Sequence, residues 1–502
     1  MDNSPLRDLI YYIGSLDAAL HERDSRFCLL DALGCILHGM TQPEGAALIE
    51  GVAAFSSGTT PLPAAHTAAS ATASAAAPAT ASAAASVAPT APAAPTVSSA
   101  PTVSSAPTVS SALTASATFT PDACALVMGA LCHLRELDDV HPSIIHPGAC
   151  VIPAAYSAAH FLDKTLGDLL DAVFAGYEAA VRVSEASAYL AHRDMGWHAT
   201  GTFGPFGAAM AVSRLLALDT EATVWALGIA GTRAGGTWAF AQDGAMTKRL
   251  HPGMAARDGF QAAFLARAGI SGPAHILDAP DGGLFHLMSS GADLSLLTKS
   301  DLSPAVGSTE IKCYASCKSV HSPLEAAQAI YQNRSDPAQI PIAIKVLINA
   351  SAMHMAGRMY DKDSIISAQL SIPYGVALAL SGRDGSAADY TLDRIGEEDL
   401  FQLASIVEME VSPEMDALRE NERTSSAIVQ AAWSDGSVSR EFVKCAKGTI
   451  EKPLTGDERI KKFLSLAEGT VGSTEARRLA EQVLHGDRSV PVRSLFHQAH
   501  DG

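Results

Sequence analysis

Residues 123–137, Ala-Cys-Ala-Leu-Val-Met-Gly-Ala-Leu-Cys-His-Leu-Arg-Glu-Leu, run directly into residues 138–147, Asp-Asp-Val-His-Pro-Ser-Ile-Ile-His-Pro. The first part reads as a helix, apolar or small from Ala123 through Cys132. The second cannot continue it, because Pro142 and Pro147 remove backbone donors and disfavour helical conformation in the residue before each. Together they predict a helical core that delivers Asp138, Asp139, His141 and His146 into one short loop. Imidazole has the ordinary side-chain pKa nearest neutrality, and a fixed carboxylate beside it sets its tautomer and basicity. The loop therefore has the composition of a proton-transfer site.

Working outward, apolar residues recur at helical spacing from Leu6 to Met40, and the stretch from Arg26 is closed by Gly39; Asp31 within it is expected to be a structural hydrogen-bond partner. Downstream, helices are expected over 151–162, 166–189, about 199–216 and 222–236. After about Ser308 the pattern changes. Residues 342–350, 406–411 and 427–443 read as strands, the last folding into a hairpin at Asp435-Gly436, with helices at 322–333 and 367–380 between them. Residues 457–486 are helical again. The fold class is mostly α with an α+β second domain. The expected units are a helical domain in two parts (1–55 and 118–307), an α+β domain (308–448), and C-terminal helices returning to the first domain (449–502).

Between the two parts of the helical domain, residues 51–121 contain no Asp, Glu, Lys or Arg, and Pro-Thr-Val-Ser-Ser-Ala occurs in tandem from Pro95, Pro101 and Pro107. So few large apolar groups cannot offset the ordering entropy, and 56–117 is expected to be a disordered Ala/Ser/Thr/Pro-rich insertion without chemistry.

The net charge of −18 argues against general nucleic-acid or anionic-membrane binding. Eight scattered cysteines read as reduced core thiols, and no apolar run suits a signal or a membrane span. The expectation is a soluble intracellular protein, cytoplasmic first and mitochondrial second.

Three further segments carry chemistry. Gly196-Trp-His-Ala-Thr-Gly-Thr-Phe-Gly opens a helix whose start, near His198 and Thr200, offers free amides to an anion; no strand precedes it, which excludes a dinucleotide fold. Residues 248–257 hold Lys248, Arg249, His251 and Arg257 among small packing residues, a local basic cluster in an acidic chain. At the domain junction, Lys312, Tyr314 and Cys317 are placed to line a cleft. Cys313 and Cys317 lack the partners of a zinc site, so no metal is expected.

These segments, with Leu29-Leu-Asp-Ala-Leu-Gly, Glu136-Leu-Asp-Asp-Val-His, His146-Pro-Gly, Gly244-Ala-Met-Thr-Lys-Arg-Leu-His-Pro-Gly, Lys312-Cys-Tyr-Ala-Ser-Cys and Gln369-Leu-Ser-Ile-Pro-Tyr, resemble the MmgE/PrpD family, in the family's order. The resemblance implies an all-helical large domain, a smaller α+β lid, a homodimer, and cofactor-independent chemistry in the cleft between them. Carried over by position, the family's active-site residues fall on Asp138 or Asp139, His146, His198, Lys248 and Lys312. His146-Pro-Gly-Ala-Cys departs from the His-Pro-Ser-Asp-Asn of the methylcitrate dehydratases. Chemically, Lys248 and Lys312 suit a polycarboxylate, with Arg249 or Arg257 as a third cation and His146 as general acid/base. The first expectation is dehydration of a 2-methylcitrate or longer 2-alkylcitrate. Decarboxylation of cis-aconitate, epimerisation of an iminodisuccinate-like dicarboxylate, and non-catalytic metabolite binding stand as alternatives.

Overall fold

The computed structural model describes residues 4–56, 58, 60–61, 118–334, 336 and 339–496. Nearly all of the low-complexity stretch lies outside these residues, and so does the expectation made for it.

Small residues explain how the helical domain packs. Its principal helices are α1 (Glu22–Met40), α2 (Pro121–Cys132), α3 (Pro147–Phe161), α4 (Leu166–Ala186), α5 (Ala199–Leu215) and α6 (Thr247–Arg267). α5 is buried along almost its whole length between α3, α4 and α6. Its glycines permit this: a Cβ at Gly204 would meet Cys150 Sγ at 2.5 Å, and one at Gly207 would meet the Gly176 carbonyl oxygen at 2.7 Å. None of the helices among the described residues is long and apolar enough to cross a membrane.

The sequence places the helix before the site loop as far as Leu137; α2 ends at Cys132, and residues 133–139 turn irregularly. The left-handed conformation of Glu136, φ 54°, is incompatible with a continuing helix. The loop is then clamped to the second domain by a two-way bridge in which Val140 and Glu310 exchange backbone hydrogen bonds at 2.9 Å.

The second domain is α+β, built on a four-stranded mixed sheet. β3 (Ala343–Ile348) runs parallel to β4 (Val407–Val411) and antiparallel to β5 (Ala427–Ala432), which forms a hairpin with β6 (Val438–Val443). Ile344, Val346 and Ile348 alternate toward a core closed by Val320, Leu324 and Ala327 of α7 (Lys318–Asn333). Two C-terminal helices, α8 (Gly456–Val471) and α9 (Ser473–His485), return to the helical core and pack on α1. Lys462 of α8 donates at 2.6 Å to both Asp31 Oδ1 and the Leu137 carbonyl, so Asp31 supports the site loop from behind.

Two short strands, β1 (Thr60–Pro61) and β2 (Thr118–Phe119), pair antiparallel with Pro61 opposite Thr118. Pro61 and Thr118 are therefore neighbours in space. Replacing residues 62–117 by a two-residue Asn-Gly turn is expected to keep both the melting temperature and the activity. A folded but inactive deletion would show that the segment has a part in the chemistry.

Candidate functional site

Glu136 lies at the centre of a buried charge cluster. Its Oε1 accepts from Lys248 Nζ, and its Oε2 and its backbone carbonyl each accept from Lys312 Nζ at 3.1 Å. Lys248 comes from the first turn of α6 and Lys312 from the irregular segment entering the second domain. The carboxylate therefore ties both domains together. Burial alone would raise its pKa, but the two ammonium groups outweigh burial and hold the carboxyl well below its usual range.

His133 extends this cluster to the aspartates. Its Nε2 is 2.8 Å from Lys248 Nζ and its Nδ1 2.8 Å from Asp138 Oδ2. An ammonium only donates, so Nε2 accepts and the ring proton sits on Nδ1, donated to Asp138. Burial lowers the His133 pKa to about 4, in keeping with a neutral ring. Asp138, which burial would raise, is held well below its usual range by His133, His146 and Lys312. Glu136 and Asp138 thus balance Lys248 and Lys312 before any substrate arrives.

His146 uses its Nδ1 internally. That nitrogen is 2.8 Å from the Asp139 carbonyl and 3.1 Å from Asp138 Oδ2, both acceptors, so it carries the proton. Nε2 is left with its lone pair for the cleft that the residue lines. Burial depresses the His146 pKa below its ordinary 6.5, although Asp138 opposes the shift. The backbone N–H of His146 donates to Thr200 Oγ1 at 3.2 Å, so Thr200 orients the histidine and is not among the cleft-lining residues. His198 caps α5 and lines the same cleft; its Nδ1 is 2.9 Å from His251 Nδ1, and burial keeps both rings neutral.

The adjacent aspartates divide their tasks. Asp138 addresses the imidazoles, whereas Asp139 accepts from the Gly148 N–H at 2.9 Å and the Tyr177 hydroxyl at 2.6 Å, tying the start of α3 to α4. Burial raises the Asp139 pKa to about 7.

The cleft lies between the helical domain and the second domain, lined among others by His141, His146, His198, Lys248, Lys312 and Cys317. His141 Nδ1 accepts from the Ser143 N–H at 3.1 Å, its Nε2 lies 3.3 Å from Ser308 Oγ, and burial takes its pKa down to about 3. Cys317 is the residue before α7, whose start has no side-chain cap; its backbone N–H donates to the Gln369 carbonyl at 2.8 Å, and Cys317, Lys318 and Ser319 line the same wall.

Besides Thr200, four expected binding residues lie outside the cleft lining: His251, which reaches it only through His198, and Arg257, Tyr314 and Arg249. Arg257 pairs with its neighbour Asp258 at 2.8 Å on a different face of α6 from Lys248. Tyr314 donates to Glu325 Oε1 at 3.1 Å and packs edge-on against His321. Arg249 is buried, donating to Gln369 Oε1 at 2.9 Å and approaching Glu44 at 3.6 Å, a bridge between domains outside the cleft lining. Conversely, His133 and Glu136 belong to the cluster although the sequence around them reads as a continuing helix. Their signal was present: a histidine and a carboxylate immediately before a turn rich in the same groups.

His133, Glu136 and His146 also bring ligand-type atoms within 4.8 Å of one another. Glu136 and the Nε2 of His133 already face ammonium groups. A divalent cation there would meet two positive charges at contact range, so the donor set does not suit a metal.

Residues 80–297 match the MmgE/PrpD N-terminal domain and residues 314–486 the MmgE/PrpD C-terminal domain. The chain is 28% identical over 398 residues to a cis-aconitate decarboxylase of Aspergillus terreus, covering 75% of this chain and 80% of that one. It is 27% identical to a cis-aconitate decarboxylase-like protein of Aspergillus oryzae, over 75% of this chain and 82% of the other. With the cis-aconitate decarboxylase of Mus musculus it shares 26% identity, over 68% of this chain and 71% of the mouse protein.

Proposed function

The chain belongs to the MmgE/PrpD family, and from that membership we propose that it is a lyase on a small tricarboxylate, removing carbon dioxide from a cis-aconitate-type substrate to give an itaconate-type product. The observation that carries the reading is the placement of His146: a single titratable nitrogen, Nε2, faces a cleft walled by two lysines, with its other nitrogen fixed by Asp138 and Asp139.

In this reaction the bond between the methylene carbon and its carboxylate breaks and carbon dioxide leaves. The freed electron pair forms the new terminal double bond. The former alkene pair moves to the carbon beside the other terminal carboxylate, which takes up one proton. A trianion entering the cleft raises the proton affinity of the neutral His146, so Nε2 binds a proton with the substrate and delivers it to that carbon. Lys248 and Lys312, fixed by Glu136, stabilise the charge that builds on the accepting carboxylate. His133 and Asp138 keep Lys248 and His146 in register.

Dehydration of a 2-alkylcitrate is the second reading. It is favoured by the neutral state that burial gives His146, which suits proton abstraction.

An NMR time course of the purified protein with cis-aconitate, citrate and 2-methylcitrate in separate tubes tests both. Itaconate from cis-aconitate is the expected result. An aconitate-type alkene from either citrate, with no itaconate, would replace the first reading by the second. No turnover in any tube would remove both.

A further inference from the structure

A trianionic substrate needs positive charge that the protein has not already neutralised, and the cations of the cleft differ in this respect. Lys248 and Lys312 share Glu136. Lys318 Nζ lies 3.2 Å from a Glu310 carboxylate oxygen. Arg423 donates to Glu185 Oε1 at 2.7 Å, an ion pair that joins the second domain to α4. Arg419 is different: it lines the cleft, and among the described residues no carboxylate lies within ion-pair distance of it. The two carboxylates whose charge reaches it, Glu310 and Glu185, are those already held by Lys318 and Arg423.

The local structure positions this guanidinium. Arg419 is in the last turn of the helix Pro413–Glu422, and Arg423, with φ 58°, ends that helix in the left-handed conformation. Arg423 N–H donates to the Arg419 carbonyl at 3.0 Å, and Arg419 Nη1 donates back to the Arg423 carbonyl at 2.9 Å. One arm of the guanidinium is thereby fixed and the remaining N–H groups of the fork stay available. Desolvation lowers the Arg419 pKa, as expected for a partly buried charge without a full counter-charge. Arg423, His141 and Glu310 also border a second, adjoining cavity that His146, His198 and Lys248 do not line. Arg419 itself lines the first cleft only, reaching it from the second domain one helical turn before Arg423, whereas His146 reaches it from the helical domain.

Resting on the tricarboxylate reading above, we propose that Arg419 is a specificity residue: it holds the substrate carboxylate most remote from His146 and makes the cleft prefer tricarboxylates over dicarboxylates. A charge-assisted, two-pronged contact with a carboxylate supplies both affinity and orientation. Because the contact comes from the second domain while the proton donor belongs to the helical domain, substrate binding also joins the two walls.

Calorimetric titration of the full-length protein with tricarballylate, an inert saturated tricarboxylate, and with methylsuccinate, which lacks one terminal carboxylate, tests this. Arg419→Gln is expected to weaken tricarballylate binding by about 10- to 100-fold while leaving methylsuccinate binding unchanged, and Arg419→Lys to recover part of the loss. Equal tricarballylate affinity in wild type and Arg419→Gln would overturn the assignment of Arg419 alone. Absence of tricarballylate binding to the wild type would overturn the tricarboxylate reading itself. Loss of both ligands in Arg419→Gln, with no recovery in Arg419→Lys, would mean that the residue only maintains the fold of the wall.

Discussion

Glu136→Gln is expected to abolish turnover and to lower the unfolding free energy by about 3–5 kcal/mol, the range for removing one member of a buried ionic cluster. Two buried ammonium groups depend on this carboxylate, and the amide that replaces it carries no charge to offset them. The residue also holds a left-handed backbone conformation, φ 54°, that the surrounding contacts must sustain. Its folded pKa lies well below the ordinary 4.5, so its contribution to stability is fully present above that value and is lost as pH falls through the folded pKa. Urea unfolding at pH 7 should therefore separate wild type and variant widely, and the gap should narrow as the pH is taken below about 4. A second variant fixes the cause: Glu136→Gln combined with Lys312→Met removes one stranded charge and should be more stable than Glu136→Gln alone. A single variant as stable and active as wild type would remove Glu136 from the centre of the site.

Residues with direct chemical patterns were legible in the sequence, and residues defined by backbone geometry were not. The α+β character after Ser308 follows from alternating apolar strands and the Asp435-Gly436 turn, which the structure places between β5 and β6. His146, Lys248 and Lys312 stand out in the sequence as titratable groups in site-like segments, whereas His198 takes its assignment from the resemblance to the family; all four line one cleft. Which of Asp138 and Asp139 faces the imidazoles was not legible. Neighbouring side chains in an irregular loop point in directions that only the folded backbone decides. Glu136 was hidden for the same reason, since its inward turn depends on a positive φ that no helical periodicity signals. Arg249 and Arg257 show the opposite error. Proximity in sequence suggested a cluster, but an α-helix turns about 100° per residue and sends Lys248, Arg249 and Arg257 to different neighbours. Arg419 is 107 residues beyond Lys312, on a helix that no motif in the sequence singles out, and its place in the cleft is a consequence of domain packing.

His146→Ala should reduce kcat by about 10²- to 10⁴-fold with the fold intact, the usual contribution of a positioned acid or base. The pH dependence of the wild-type enzyme carries more information, because it reports which protonation state works. Burial puts the His146 pKa below 6.5, so the free enzyme holds a neutral ring at pH 7. If the imidazolium delivers a proton after carbon dioxide leaves, kcat/KM must fall as pH rises through that lowered value. If the neutral ring abstracts a proton in a dehydration, kcat/KM must instead rise through the same value and level off above it. The decarboxylase reading thus expects a descending limb below pH 6.5. Asp138→Asn identifies the limb: Asp138 raises the His146 pKa, so removing its charge moves an enzyme-derived limb to lower pH, whereas one from the substrate's own carboxyl stays in place. An ascending limb that shifts in this way would transfer the assignment to dehydration with His146 still in its role. A profile that Asp138→Asn does not move, together with an active His146→Ala, would mean that the proton comes from elsewhere. His198 would then be the group to replace next, as the other neutral imidazole on the cleft wall.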